Sequence, residues 1–355
     1  MNPILVTSTA ESTGKTAIAL ALASRAAEAG HTVGYMKPKG TRLQSATGKT
    51  LDEDPMLARE VLELDTPMHE MEPIVYSPTF VQEAVRGRED PDELRDRVRE
   101  AYDTVADGRD TVVIEGGGSY TTGGIVDLTD PDIADLLDAR VLLVSRYGDV
   151  SDVDDVLAAA EDFGDRLDGV LFNAVASDEF DTLTEDVIPF LEGRGVPVHG
   201  AIPAVEALAG VSVAELAESL GATVLTSEAP TDAHVERFSV GAMSSDAALR
   251  GFRRTRDAAV ITGGDRPDIQ TAALAAPGVK CLVLTGGFRP TDAVVGRAES
   301  EGKPVLVVQG NTRTTVDRVE NVIRSGRTRD PETVTRMGEL LADSIAVGDL
   351  LGIED

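Results

Sequence analysis

Tryptophan is absent from this 355-residue sequence, cysteine occurs once, and aromatic residues make up only 4% of it. A single cysteine excludes an internal disulfide and any Cys-based metal cluster. With so few rings, a core has to be assembled from Val, Leu, Ile and Ala, which suits parallel strands covered by helices. Positive charge is scarce too: 33 Lys and Arg stand against 62 Asp and Glu, a formal net charge of −29, and only 6 of the 33 are lysines. Such a surface repels a phosphate backbone, so nucleic acid is not an expected partner. It fits a salt-adapted, halophilic protein, kept soluble by its charge where screening relieves self-repulsion. No apolar run reaches the roughly 18 residues of a membrane span, and no basic stretch leads an apolar one at the N-terminus, so a cytoplasmic location without a membrane partner is expected.

What is present is a regular alternation. Apolar runs at Ile4–Val6, Val33–Met36, Thr111–Ile114, Val141–Val144, Gly169–Phe172 and Val196–Ile202 are separated by segments of helical spacing, such as Thr16–Ala29 and Pro91–Ala106. Strand–helix repetition predicts an α/β fold with a mostly parallel sheet and helices on both faces. After about residue 205 the pattern changes: Val211–Leu220 reads as a helix, Ala222–Leu225 and Val235–Val240 as strands, and a second α/β run follows. Three parts are expected, residues 1–205, a smaller α/β domain over 206–328, and a helical tail over 329–355 that docks on the body or on a partner.

The chemistry concentrates in the first part. Thr9-Ala10-Glu11-Ser12-Thr13-Gly14-Lys15-Thr16 follows the first strand and opens the first helix, the context of a P-loop, with Thr9 where the pattern has its first Gly. Ser12, Thr13, Gly14, Lys15, Thr16 and Ala17 are expected to cradle nucleotide phosphates, Lys15 reaching the β and γ groups and Thr16 reaching Mg²⁺. Lys37 and Lys39 end the second strand, so half of the lysines sit in these two loops. Asp52-Glu53-Asp54 reads either as a helix N-cap or as a carboxylate source for Mg²⁺, with Asp54 the candidate. Glu115 ends a buried strand before three glycines, where a carboxylate is costly without a cation. Asn173 ends another strand with a donor and an acceptor suited to a base edge. Cys281, inside a strand and outside any nucleophile elbow, reads as a buried small hydrophobe, and the four histidines lack zinc-site spacing.

Two turns share the pattern apolar-Thr-Gly-Gly-x-Arg-Pro, at Ile261–Pro267 and Leu284–Pro290. They read either as tight strand-to-helix turns or as a second anion site, with Thr262, Gly263, Gly264 and Arg266 at one and Gly286, Gly287 and Arg289 at the other, each supplying free N–H groups and an Arg.

Taken in order, the P-loop, Lys37-Pro38, Asp54, Glu115-Gly116, Asn173 and Gly200-Ala201-Ile202-Pro203 make residues 1–205 resemble the dethiobiotin synthetase-like P-loop family. Residues 206–325 resemble the DRTGG domain around Thr262–Ile269. The pair is similar to the N-terminal regulatory half of long phosphotransacetylases, without room after residue 325 for the acetyl-transferring domain. The resemblance implies ATP and Mg²⁺, with Lys15, Lys37 and Glu115 as catalytic groups, Thr16, Asp54 and Glu115 at the metal, and Asn173 near adenine.

Three functions remain open on these grounds. The first is a nucleotide-responsive regulatory protein of acetyl-phosphate and acetyl-CoA metabolism, a homo-oligomer acting with a separate phosphotransacetylase catalytic subunit, hydrolysing ATP slowly and not itself a phosphate acetyltransferase. The second is an ATP-dependent ligase that activates a small carboxylate, with Lys39 and Arg42 facing the substrate. The third is an assembly module with a decayed nucleotide site, suggested by Thr9.

Overall fold

In the computed structural model, residues 3–41, 43–46, 49–205, 208, 210–325 and 331–352 are described. The strands in chain order are β1 (Ile4–Ser8), β2 (Val33–Met36), β3 (Lys39–Gly40), β4 (Leu43–Ala46), β5 (Lys49–Asp52), β6 (Ile74–Val75), β7 (Thr111–Glu115), β8 (Arg140–Ser145), β9 (Leu167–Val175), β10 (Val198–Pro203), β11 (Val211–Ser212), β12 (Thr223–Val224), β13 (His234–Val235), β14 (Arg237–Val240), β15 (Ala258–Gly263), β16 (Val279–Thr285) and β17 (Val305–Val307). Two compact units result, residues 1–204 with 328–355, and residues 205–327.

The first unit is built on a six-stranded sheet in the order β10-β9-β8-β1-β7-β2, every pair parallel. The central strands are buried on both faces, as a wholly parallel sheet requires, and they are near-continuous Val, Ile and Leu. Chain order reverses on either side of β1, so the crevice beyond its carboxyl end is where a doubly wound sheet accepts ligands. The helix Lys15–Glu28 that leaves β1 is buried from Lys15 to Ala23 and again at Ala26, on all sides. An all-round apolar helix needs cover on its outer side as well as from the sheet. The helix Pro331–Ser344 supplies it, with Gly338 lying against Ala21 and Arg25. The expected tail is therefore part of the first unit's core.

The second unit carries the sheet β12-β17-β16-β15-β14, parallel except for the antiparallel edge strand β12. Apolar clusters lie on both of its faces. Two local expectations are corrected. Val211 and Ser212 pair with His234 and Val235 in a short antiparallel ribbon, and the helix begins at Val213 because Ser212 and Glu215 form a reciprocal capping box. The expected strand Val235–Val240 is accordingly broken at Glu236, one part in that ribbon and the other beside β15. Cys281 is fully buried in β16, and burial pushes its thiol up to about 12, which keeps it unreactive. No described helix is long and apolar enough to cross a membrane.

Candidate functional site

The loop between β1 and its helix takes left-handed backbone at Ser12 (φ 59°) and Gly14 (φ 88°), not at Thr9. Thr9 therefore has no need to be glycine, and its hydroxyl lies 3.1 Å from Ser145 Oγ at the end of β8. Gly14 is the helix N-cap without a side chain to close it, and the first turn holds no acidic residue, so the first-turn N–H groups remain for an anion. Thr13 Oγ1, buried in the same loop, has no hydrogen-bond partner among the described residues.

Around this loop the structure gathers the charged side chains that the sequence singled out. Lys15 Nζ donates to the carbonyls of Gly117 and Gly118, the latter at 3.3 Å, and to Ser8 Oγ at 3.3 Å. Burial, only partly offset by Glu115 and Asp130, holds its ammonium below the usual lysine range. Thr16 Oγ1 donates to Glu115 Oε1 at 2.7 Å. Lys37 Nζ sits among three carboxylates, paired with Asp54, 3.0 Å from Asp52 and 3.6 Å from Glu115. Burial alone would lower its proton affinity, but Asp54, Glu115 and Asp52 outweigh it and raise it above the ordinary lysine value. Glu115 is raised by burial first and by Asp54 second.

In Asp52-Glu53-Asp54 the helix cap and the carboxylate paired with Lys37 are different residues. Asp52 caps the helix Glu53–Val61 by accepting from the Asp54 N–H, and its other oxygen accepts from the Thr41 N–H at 2.8 Å. Asp54 faces Lys37. Lys39 turns elsewhere, donating to the carbonyls of Thr122 and Leu128 and pairing with Asp130 at 3.0 Å, where it braces the glycine loop. Arg42 lies outside the described residues. Asn173 donates one amide hydrogen to the Thr13 carbonyl at 2.8 Å and lies against Gly14, so it braces the loop.

Four further residues belong to this network and carried no signal in the sequence. Tyr35 donates to Glu115 Oε2 at 2.6 Å, and Thr7 donates to Asp130. Glu72 accepts from the Asp52 N–H at 3.1 Å while its Oε1 is buried without a partner among the described residues, packed flush on Gly40. Only tertiary structure brings these positions to the sheet edge. Burial pushes Glu72 up to about 7. A carboxyl whose folded value is raised destabilises the fold as pH climbs from its unfolded value near 4.3 through about 7. Glu72→Gln is therefore expected to remove part of the fall in stability over that window and to be more stable than the parent at pH 8, read by urea unfolding at both pH values. An unchanged pH profile would count against it.

The donor set suits a Mg²⁺ ion. Thr16, Asp54 and Glu115 offer hard oxygen ligands, and the enclosed charges do not balance: Lys15, Lys37 and Lys39 face Asp52, Asp54, Glu115 and Asp130, an excess of one negative charge even with Glu72 protonated. Among the described residues no three His, Cys, Asp or Glu side chains form a metal cage by themselves. Mg²⁺ is commonly held by one or two carboxylates together with phosphate oxygens and water, so this does not argue against it.

In the second unit several of the donors expected at the two turns have partners within the unit. The N–H groups of Gly264, Gly286 and Gly287 donate to Thr285, Gly310 and Val308 carbonyls at 3.1, 2.8 and 3.0 Å. Thr262 Oγ1 is spent on the Gly241 carbonyl, and Arg266 on the Met243 carbonyl and Asp268. Gly263 closes β15 in the ladder with β16, and Arg289 is exposed. Gly264 abuts the Phe288 backbone, so no side chain fits there. Pro267 opens a helix, but Pro290 does not, because the next one starts at Asp292 behind Thr291. The glycines thus lock the two turns together, with the N–H groups of Gly264, Gly286 and Gly287 engaged.

A family model described as an AAA domain, AAA_26, matches residues 2–212, more than half of the sequence. The chain belongs to the AAA_26 family. A DRTGG domain model matches residues 215–322, so the AAA_26 unit is followed by a DRTGG unit. The whole chain is similar to a phosphate acetyltransferase of Pseudomonas putida, 27% identical over 94% of this chain and 48% of that protein. About half of the chain is similar to the ATP-dependent dethiobiotin synthetase BioD of Methanocaldococcus jannaschii, 26% identical over 48% of this chain and 79% of that one. It is also similar to a cobyric acid synthase of Clostridium perfringens, 30% identical over 48% and 39%. The chain spans about half the length of the phosphate acetyltransferases it matches. Among solved structures, the MinD cell division protein of Aquifex aeolicus aligns with 59% of this chain and 84% of its own at 17% identity and a TM-score of 0.36.

Proposed function

We propose that this AAA_26 protein binds ATP with Mg²⁺ in its first unit and acts as a nucleotide-responsive regulator, its DRTGG unit passing the response to a phosphate acetyltransferase catalytic partner. The observation that carries the nucleotide part is the enclosed set of Lys15, Thr16, Lys37, Asp54 and Glu115 around an open helix N-terminus. These costly charges argue against a decayed site. Mg²⁺ held by Thr16, Asp54 and Glu115 would neutralise the β and γ phosphate oxygens. Lys15 then leaves the Gly117 and Gly118 carbonyls for phosphate, and Lys37 is released from its carboxylates toward the γ group. The likeness to phosphate acetyltransferase over 94% of the chain supports the choice of partner and of metabolism. Assembly as a homo-oligomer, and the salt-adapted surface, belong to the same reading.

The test is unfolding of the full chain with Mg²⁺ and ATP. At 100 times its dissociation constant the nucleotide stabilises by about 2.7 kcal/mol, a shift of several degrees for a unit of this size. No shift and no heat on titration would sink the reading. The dethiobiotin synthetase likeness supports a second reading, a carboxylate-activating ligase in which substrate oxygen attacks the γ phosphorus and ADP leaves. ADP release that rises only with an added carboxylate favours that reading; release indifferent to carboxylates favours regulation.

A further inference from the structure

Glu115 is held differently at its two oxygens. Oε1 meets Thr16 and Lys37, the groups that a bound Mg²⁺-nucleotide would engage, so both contacts are exchangeable. Oε2 accepts a hydrogen bond from the Tyr35 hydroxyl at 2.6 Å. Tyr35 pairs with Val113 in the parallel register of β2 and β7, and Glu115 lies two residues beyond Val113 on the same face. Strand periodicity alone therefore delivers the phenol to the carboxylate. The ring is fully buried.

We infer that Tyr35 is a positioning residue, fixing the Glu115 carboxylate through Oε2 so that Oε1 faces the cleft as a ligand for a divalent cation. This rests on the Mg²⁺-nucleotide reading above. A donor behind a ligating carboxylate sets its orientation, and losing such a partner costs typically about 10- to 100-fold in metal affinity.

The experiment compares Mn²⁺ binding to the full chain, by electron paramagnetic resonance with saturating ADP, for the parent and Tyr35→Phe. ADP affinity without metal is measured by calorimetry in parallel. Expected are a loss of about 10- to 100-fold in Mn²⁺ affinity, metal-free ADP affinity within about twofold, and no further loss when Tyr35→Phe is added to Glu115→Gln. Mn²⁺ affinity in Tyr35→Phe within about twofold of the parent would overturn the assignment, as would an equal further loss in the Glu115→Gln background, which marks a merely structural residue. A parent that binds ADP but no Mn²⁺ overturns this inference and the metal reading alone. A parent that binds neither overturns the nucleotide reading as well.

Discussion

Lys37→Met is expected to lower the stability of the first unit by about 3–5 kcal/mol at pH 7, the cost of leaving a buried ion pair with one partner. The reason is local. Asp52, Asp54 and Glu115 converge on one ammonium, and all four groups are almost completely enclosed. In the parent, Lys37 has its folded-state value raised, so its contribution is fully present below the unfolded value near 10.4 and is lost only at higher pH. In the variant the carboxylates lose their cation and bind protons more tightly in the folded state than in the unfolded one. Its stability should then rise as pH falls from 7 toward 5. Millimolar Mg²⁺ should restore part of the loss, because it takes up the same charge. Urea unfolding at pH 5 and 7, with and without Mg²⁺, reads all three effects. A loss below about 1 kcal/mol, insensitive to pH and metal, would mean that Lys37 is not the counter-ion of this cluster.

Gly14→Ala is expected to damage both fold and binding. A left-handed φ of 88° costs an L-residue roughly 1–2 kcal/mol. The added methyl would also land on the Asn173 amide, closer than any real Cβ contact, and break its bond to the Thr13 carbonyl, worth about 1 kcal/mol. Together these lower stability by about 2–3 kcal/mol, a fall of roughly 4–12 °C in Tm for a unit of this size. ATP affinity should fall at least about tenfold, since the loop can no longer aim its N–H groups at one anion. A destabilised variant that binds ATP as the parent does would remove the loop from the site.

How far the sequence revealed this site depends on how far apart its parts lie. The P-loop, Lys37, Asp54 and Glu115 were readable because each sits at a strand end or helix start with its own local signature, and the scarcity of lysine sharpened the first two. Tyr35 and Glu72 were not, since a tyrosine in a strand and a glutamate between short elements mean nothing until the β2–β7 register and the approach to Gly40 place them. The Thr-Gly-Gly turns stayed open between two readings for a related reason. Glycine is needed equally by an anion cradle and by two backbones in contact, and it takes the hydrogen bonds to Thr285, Gly310 and Val308 to show the second role. The C-terminal helix looked peripheral in the sequence, but the all-round apolar helix Lys15–Glu28 called for a cover from somewhere.

A crystal structure of the full chain soaked with Mg²⁺ and ATP tests most directly whether the first unit is the nucleotide site. The triphosphate is expected over Gly14, Lys15 and Thr16, with the metal beside Thr16 and within reach of Asp54 and Glu115, and with Lys37 drawn off its carboxylates toward the γ-phosphate. Nucleotide found only in the second unit, or a P-loop left bare with Lys37 still among Asp52, Asp54 and Glu115, would contradict it.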